Sequence, residues 1–139
     1  MKAVNITLTF NSQAEAAFNF YRSVFGGEFI HLQRLKDMPS PNPMSAEEGE
    51  KILHIALPVG SAVLAGMDIP QGRPESIAGT NFMVTLDTSS EEETQQLFEG
   101  LSEGGFVMMP PDHQFWGAYF AMFTDKFGIQ WMLSYVADK

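Results

Sequence analysis

The sequence predicts an α+β fold in which a β-α-β-β-β pattern occurs twice. Each half contains, in the same order, an alternating strand, a helix that begins at a Ser-x-x-Glu capping box, and a Gly-Gly pair that ends the helix. Three strands are predicted after each helix. We therefore interpret the chain as two related modules, residues 1–68 and 81–139, joined by a linker at 69–80 that is rich in proline and glycine.

The first module begins with residues 4–10 (VNITLTF), which alternate between an apolar face (Ile6, Leu8, Phe10) and a polar face (Asn5, Thr7, Thr9). Ser12 and Glu15 form the predicted capping box, and apolar residues recur at helical spacing up to Gly26-Gly27. Strands are predicted at 28–34, 51–59 and 62–68. The segment 35–50 contains three prolines and four acidic residues, so we predict a loop without regular structure there.

The second module repeats these signals. Its first strand alternates Phe82, Val84 and Leu86 with Asn81, Met83 and Thr85. Ser90 and Glu93 form the second predicted capping box, and Gly104-Gly105 ends the helix. Strands are predicted at 106–109, 116–124 and 129–136, so both modules have the same order of elements.

The composition restricts the partners of the protein. A hydrophobic fraction of 45% in 139 residues is enough for a packed core, and the absence of cysteine excludes disulfides and thiolate metal sites and suits a reducing cytoplasm. The net charge of −9, with only eight Lys and Arg residues, argues against nucleic acids, anionic membranes and highly phosphorylated substrates. No apolar run is long enough to cross a bilayer. We expect a cytoplasmic protein that binds a neutral or weakly charged organic ligand.

Two segments carry a family resemblance, LTFNSQAEAAFNFYRSVFGGE (8–28) and FWGAYFAMFTDKFGIQWML (115–133). Together with the repeat, they resemble the PhnB-like branch of the vicinal oxygen chelate superfamily, which includes glyoxalase I, bleomycin-resistance proteins and extradiol dioxygenases. The resemblance implies that the two modules have curved mixed sheets that form a cup, with the helices outside and the ligand inside. It also implies a homodimer, in which modules could be exchanged across the linker.

The alternation within each strand then indicates which side chains face the ligand. Trp131 should pack under a helix, whereas the neighbouring positions of the last strand should line the cavity. His54 could act as a general base or hydrogen-bond donor if it shares the face of Ile52 and Ala56. His31 and His113 are expected to be solvated, with His113 near the rim. The predicted ligand-binding residues are Thr7, Thr9, His54, Met83, Thr85, Trp116, Tyr119, Gln130 and Met132.

Metal catalysis is not favoured by the residues at these positions. Enzymes of the superfamily hold a divalent metal with inward-facing His and Glu side chains, but here the corresponding strands offer Asn, Thr and, four residues after Gly128, Met132. We therefore predict a metal-independent small-molecule-binding protein without a cofactor. The alternatives are a metal-dependent lyase, isomerase or dioxygenase, if the strand register differs by one residue, and a metal-free enzyme with His54 as base. A methyltransferase is disfavoured, because no glycine-rich cofactor loop follows the first strand.

Overall fold

A computed structural model of the chain describes residues 1–39 and 43–137. The chain divides into two compact units, Met1–Ile77 and Ala78–Lys139. The first unit contains β1 (Ile6–Phe10), α1 (Ala14–Phe25), β2 (His31–Arg34), a 3₁₀ turn (Leu35–Asp37), α2 (Ala46–Glu50), β3 (Ile52–Val59) and β4 (Ala62–Asp68). The second contains β5 (Val84–Asp87), α3 (Glu91–Leu101), β6 (Phe106–His113), β7 (Tyr119–Thr124) and β8 (Gln130–Tyr135). In the described residues, no helix is long and apolar enough to cross a membrane.

Each unit has one mixed sheet of four strands. The strand order is β1-β4-β3-β2 in the first unit and β5-β8-β7-β6 in the second. In both sheets the first strand of the unit runs parallel to the last one, and the remaining pairs are antiparallel. The predicted α+β class and the repeated β-α-β-β-β order are therefore confirmed.

In the first unit, α1 covers one face of the sheet. The strand register places Leu8, Gly66 and Ile55 in one row, and residues directly opposite each other point to the same side of a sheet. A Cβ atom at Gly66 would overlap the ring of Phe18, a buried residue of α1. This row is therefore the core face, and glycine at position 66 lets the helix lie close to the strand.

In the second unit, the last hairpin supplies the core under α3. Trp131, Leu133 and Phe123 are fully buried, and the Phe123 ring meets Phe98 of α3 edge to face, with ring centroids 5.5 Å apart. The prediction that Trp131 packs under a helix agrees with this burial.

The turn between β7 and β8 is held by one buried carboxylate. Asp125 is 3% exposed. Its Oδ1 accepts hydrogen bonds from the backbone amides of Phe127 (2.8 Å) and Ile129 (3.1 Å), and its Oδ2 accepts from the indole nitrogen of Trp131 (2.9 Å). Gly128 adopts φ = 87°, a conformation that glycine enters at low cost. The Asp-x-Phe-Gly sequence is therefore a structural turn that also orients the core tryptophan.

The two helix starts differ, and the capping box predicted for α1 is wrong. Ser12 donates to the carbonyl of Asn11 and does not cap α1; instead, Asp68 at the end of β4 accepts a hydrogen bond from the Ala14 amide (2.9 Å). At α3 the serine cap is confirmed, because Ser90 accepts from the amide of Glu93 (3.0 Å), but the Glu93 carboxylate accepts from the amide of Ser89 (2.8 Å) and not from that of Ser90 as in a capping box.

Glu15, the other predicted member of the first capping box, belongs to an ion pair. Both of its carboxylate oxygens accept from the guanidinium of Arg34, at 3.0 and 2.6 Å. The hydrogen bond from Arg34 lowers the pKa of Glu15. The pair ties α1 to the edge strand β2.

The prediction that residues 35–50 lack regular structure is wrong in two places. The chain forms a 3₁₀ turn at Leu35–Asp37, where Leu35 is 3% exposed, and the short helix α2 at Ala46–Glu50. Ser45 caps α2 by accepting from the Glu48 amide (3.1 Å), and Glu47 and Glu48 lie in its first turn, where carboxylates interact favourably with the helix dipole. Residues 40–42 lie outside the described residues.

Several strand limits differ from the prediction. β2 begins at His31 and β5 at Val84, so residues 28–30 and 81–83 precede them. β7 begins at Tyr119, and Trp116 lies in the preceding hairpin loop. β6 extends through Pro110 and Pro111 to His113, with two register shifts. β6 is an edge strand, and Pro110 and Pro111 lie within the register shift between Met109 and Asp112; edge strands and bulges are the places in a sheet where proline is tolerated.

Residues 69–77 remain attached to the first unit. The Ile69 amide donates to the carbonyl of Phe10 (2.7 Å). Ser76 exchanges two hydrogen bonds with the side chain of Asn11, at 2.8 and 3.1 Å. The first part of the predicted linker is therefore anchored to the end of β1.

Candidate functional site

Each sheet has a second face that its helix does not cover, and most predicted ligand-binding residues lie there. In the first sheet this helix-free face contains the row Thr7, Ala65, Ala56 and His31, which are directly opposite one another on neighbouring strands. Thr7 is exposed, as is Thr9, whose hydroxyl is hydrogen-bonded to that of Ser76 (2.7 Å).

Two histidines meet on the helix-free face of the first sheet. His31 of β2 lies opposite Ala56 of β3, so His54, two residues earlier in β3, is its diagonal neighbour on the same face. The two Nδ1 atoms are 2.6 Å apart, and the ring centroids are 4.7 Å apart. The contact requires one ring to donate its Nδ1–H and the other to accept it. His31 is exposed, as predicted, and its partner on this face is His54.

His54 shares the face of Ala56 but not that of Ile52. A register shift between Gln33 and Arg34 pairs Arg34 with Ile52, and Arg34 points to the α1 side, where it binds Glu15. The sequence predicted that Ile52, His54 and Ala56 could share one face of the strand. Because of the register shift, Ile52 instead points into the core, while His54 and Ala56 lie on the helix-free face.

A row of methionines crosses the helix-free face of the second sheet. Thr85, Met132, Met122 and Met109 lie opposite one another on β5, β8, β7 and β6. The three methionines are half-buried, and the Thr85 hydroxyl lies 3.9 Å from the Met132 sulfur. Met83, two residues before Thr85 and just outside β5, is also half-buried. We call Met83, Met109, Met122 and Met132 the methionine row.

An aromatic pair adjoins the methionine row. Phe120, two residues before Met122, points to the same helix-free face of the sheet. The Trp116 ring meets it edge to face, with centroids 5.4 Å apart and planes at 78°. Trp116 is 52% exposed, and Gly117 (φ = 97°) turns the loop that carries it. The indole also meets the Phe115 ring edge to face, with centroids 5.1 Å apart, and about half of its surface remains exposed next to the methionine row.

Two predicted ligand-binding residues have other partners. Tyr119 alternates with Phe120 and lies on the α3 side, where its hydroxyl donates to Gln95 of α3 (3.3 Å). Gln130 is 8% exposed, and its side-chain amide donates to the backbone carbonyl of Phe82 (2.6 Å). Tyr119 therefore lies on the opposite face from the methionine row, whereas Gln130 shares the helix-free face of Met132 and its side-chain amide is held by the Phe82 carbonyl.

His113 lies at the end of β6, not in a loop as predicted. Its Nε2 is 2.8 Å from the carboxylate of Glu91 at the start of α3, and its ring packs on Tyr119, with centroids 4.9 Å apart. Among residues 1–39 and 43–137, no group of three or more His, Cys, Asp or Glu side chains is placed to hold a metal ion.

The fold and the sequence define the class of this protein. The family model described as Glyoxalase/Bleomycin resistance protein/Dioxygenase superfamily matches residues 3–133, and the chain belongs to that superfamily. The chain is 30% identical over 141 residues to Protein YjdN of Escherichia coli strain K12, with 95% of this chain and 94% of that protein covered.

Solved structures share the fold of this chain. The structure of protein PA1353 from Pseudomonas aeruginosa has 37% identity and a TM-score of 0.81, and the match covers 98% of this chain and all of that one. A Bacillus cereus PhnB protein, described as a putative 3-demethylubiquinone-9 3-methyltransferase, has 23% identity and a TM-score of 0.71, over 97% of this chain and all of that one. The second likeness shows the shared fold. The predicted resemblance to the superfamily is confirmed.

Proposed function

We propose that this chain is a small-molecule-binding protein of its superfamily that needs no metal, and that the ligand contacts the helix-free face of the second sheet. The observation that carries the proposal is the methionine row. Met109, Met122 and Met132 lie opposite one another on adjacent strands, on the face that α3 does not cover. All three are half-buried.

The chemistry of this face favours an apolar or aromatic ligand. Methionine side chains are flexible and polarizable, so they adapt to ligands of different shapes and make favourable contacts with aromatic rings. Trp116 and Phe120 add aromatic surface at one end, and the hydroxyl of Thr85 adds a polar group. A net charge of −9 disfavours anionic ligands. A neutral, planar organic molecule fits these properties.

A second candidate function is a metal-free enzyme with His54 as its base. The contact between the two Nδ1 atoms favours it, because His31 would fix the orientation of the His54 ring and leave Nε2 of His54 for proton transfer. The two functions differ in their dependence on position 54. A binding protein should retain its ligand affinity in His54→Gln, whereas an enzyme should lose turnover of its substrate.

We expect Trp116→Ala to weaken the binding of Nile red, a neutral aromatic probe, by up to about tenfold, because an aromatic contact contributes about 0.5–1.5 kcal/mol. Met132→Gln should act in the same direction by placing an amide in the middle of the methionine row. Fluorescence titration measures both affinities. Since the proposed site needs no metal, the affinities should be equal with and without a chelator.

Met108→Gln is the matched control for this titration. Met108 is adjacent to Met109 in β6, is 38% exposed and is not part of the methionine row. Its substitution should leave the affinity unchanged, and none of the three variants should change the melting temperature of the free protein much. Equal losses in all three variants, or binding abolished by the chelator, would contradict the proposal.

We also propose that the protein is a homodimer. β6 is an edge strand whose Phe106, Val107 and Met108 side chains are 67%, 40% and 38% exposed, and an apolar edge of this kind favours pairing with another chain. Light scattering at micromolar concentration should give twice the chain mass of 15.4 kDa, that is 30.8 kDa. A mass of 15.4 kDa would show a monomer.

A further inference from the structure

His31 and His54 bring two imidazole nitrogens together on the helix-free face of the first sheet. Their Nδ1 atoms point at each other across adjacent antiparallel strands, 2.6 Å apart. In the neutral pair, one ring donates its Nδ1–H and the other accepts it at its Nδ1 lone pair. When the donor ring instead carries its proton at Nε2, both Nδ1 lone pairs point into the same space, and a cation bound between them satisfies both.

We propose that the two histidines together bind one divalent transition-metal ion reversibly, and that the site accepts copper, nickel or zinc. Imidazole nitrogen is a preferred ligand of these three ions, whereas magnesium and calcium prefer oxygen ligands. The site lies on β2 and β3 of the first sheet and contains no residue of the methionine row. It is therefore independent of the proposed function.

The geometry requires only a small opening of the pair. Metal–nitrogen bonds of about 2.0–2.1 Å at a tetrahedral angle place the two nitrogens roughly 3.3 Å apart. His31 is exposed, so its ring is able to turn by the required amount while the strand pairing fixes both backbones. The ring that donated its Nδ1–H loses that proton and becomes protonated at Nε2. A neutral pair therefore binds the ion without net proton release.

Two protein ligands make the site labile. In the described part of the chain, no third His, Cys, Asp or Glu side chain completes a metal-binding group. Water or a small exogenous ligand must occupy the remaining coordination positions, and a chelator should remove the metal quickly. The site is thus distinct from a structural or catalytic centre with three or four protein ligands.

The test is calorimetric titration of the metal-free protein with nickel chloride, with magnesium chloride as the comparison. We expect one nickel ion per chain and no magnesium binding. His31→Gln and His54→Gln should each weaken nickel binding at least about tenfold, since even the loss of an outer partner of a metal ligand costs about 10–100-fold in affinity. His113→Gln, which removes a histidine paired with Glu91, should leave the affinity unchanged.

The two-histidine site would be overturned if His31→Gln or His54→Gln left the nickel affinity unchanged. It would also be overturned if His113→Gln weakened nickel binding as much as these two substitutions do. His31→Gln changes an exposed ring, so it decides the question even if His54→Gln lowers stability. Nile red binding, measured in the same variants, should stay at the wild-type level. A failure of the metal site is thereby distinguished from a failure of the proposed function.

Discussion

Trp131→Ala should lower the free energy of unfolding by about 3–5 kcal/mol, the usual cost of truncating a large aromatic residue in a core. The indole is fully buried in the second unit, next to Phe123 and Leu133. Its nitrogen also donates to the buried carboxylate of Asp125 (2.9 Å), and the truncation removes that bond as well as the packing. Urea denaturation followed by circular dichroism measures the change.

Trp116→Ala is the internal control, since it removes the same side chain from a position that is 52% exposed. Its effect on the free energy of unfolding should be well below that of Trp131→Ala. Trp131→Phe should be intermediate, because it keeps an aromatic ring but not the hydrogen bond to Asp125. Comparable losses at positions 116 and 131 would contradict the assignment of one indole to the core and the other to the ligand face.

Asp68→Ala should produce the second large loss. Its carboxylate, 2% exposed, accepts hydrogen bonds from the backbone amides of Ala14 and Ile52, both at 2.9 Å. The substitution leaves two buried amides without an acceptor, and each such group costs about 1–3 kcal/mol. The start of α1 and the start of β3 should loosen together, which hydrogen exchange at these two amides would detect.

Ser12→Ala provides the comparison for Asp68→Ala. A serine that caps a helix costs about 0.5–2 kcal/mol when it is replaced by alanine, and Ser90→Ala in α3 should fall in that range. Ser12 makes no capping hydrogen bond, so Ser12→Ala should have little effect. A larger destabilisation by Ser12→Ala than by Asp68→Ala would show that the serine caps α1 after all.

The repeated order of elements was predictable because its signals are local. Alternating strands, helical stripes and the Ser90 cap each depend on residues fewer than about eight positions apart, and physical preferences over such distances are strong. The cap of α1 was not predictable in this way. Asp68 lies 54 residues from Ala14, and only the parallel pairing of β1 with β4 brings it to the helix.

The candidate site was predictable in part, for a related reason. Alternation placed Thr85 and Met132 on the same face, which the register bears out. The contact between His31 and His54 depends on the register of β2 with β3, which residue patterns alone do not determine. Tyr119 looks like a cavity residue until its position on the α3 side and its partner, Gln95, are known.

The most direct test of the proposed ligand face is the nuclear magnetic resonance spectrum of the methionine methyl groups, recorded during titration with Nile red in the presence of a chelator. The chain has nine methionines, which act as separate reporters. We expect the methyl signals of the methionine row to shift with the probe, while those of Met1, Met38, Met44 and Met108 stay in place. Shifts confined to these four residues, or no shift until a divalent metal is added, would contradict the proposed ligand face.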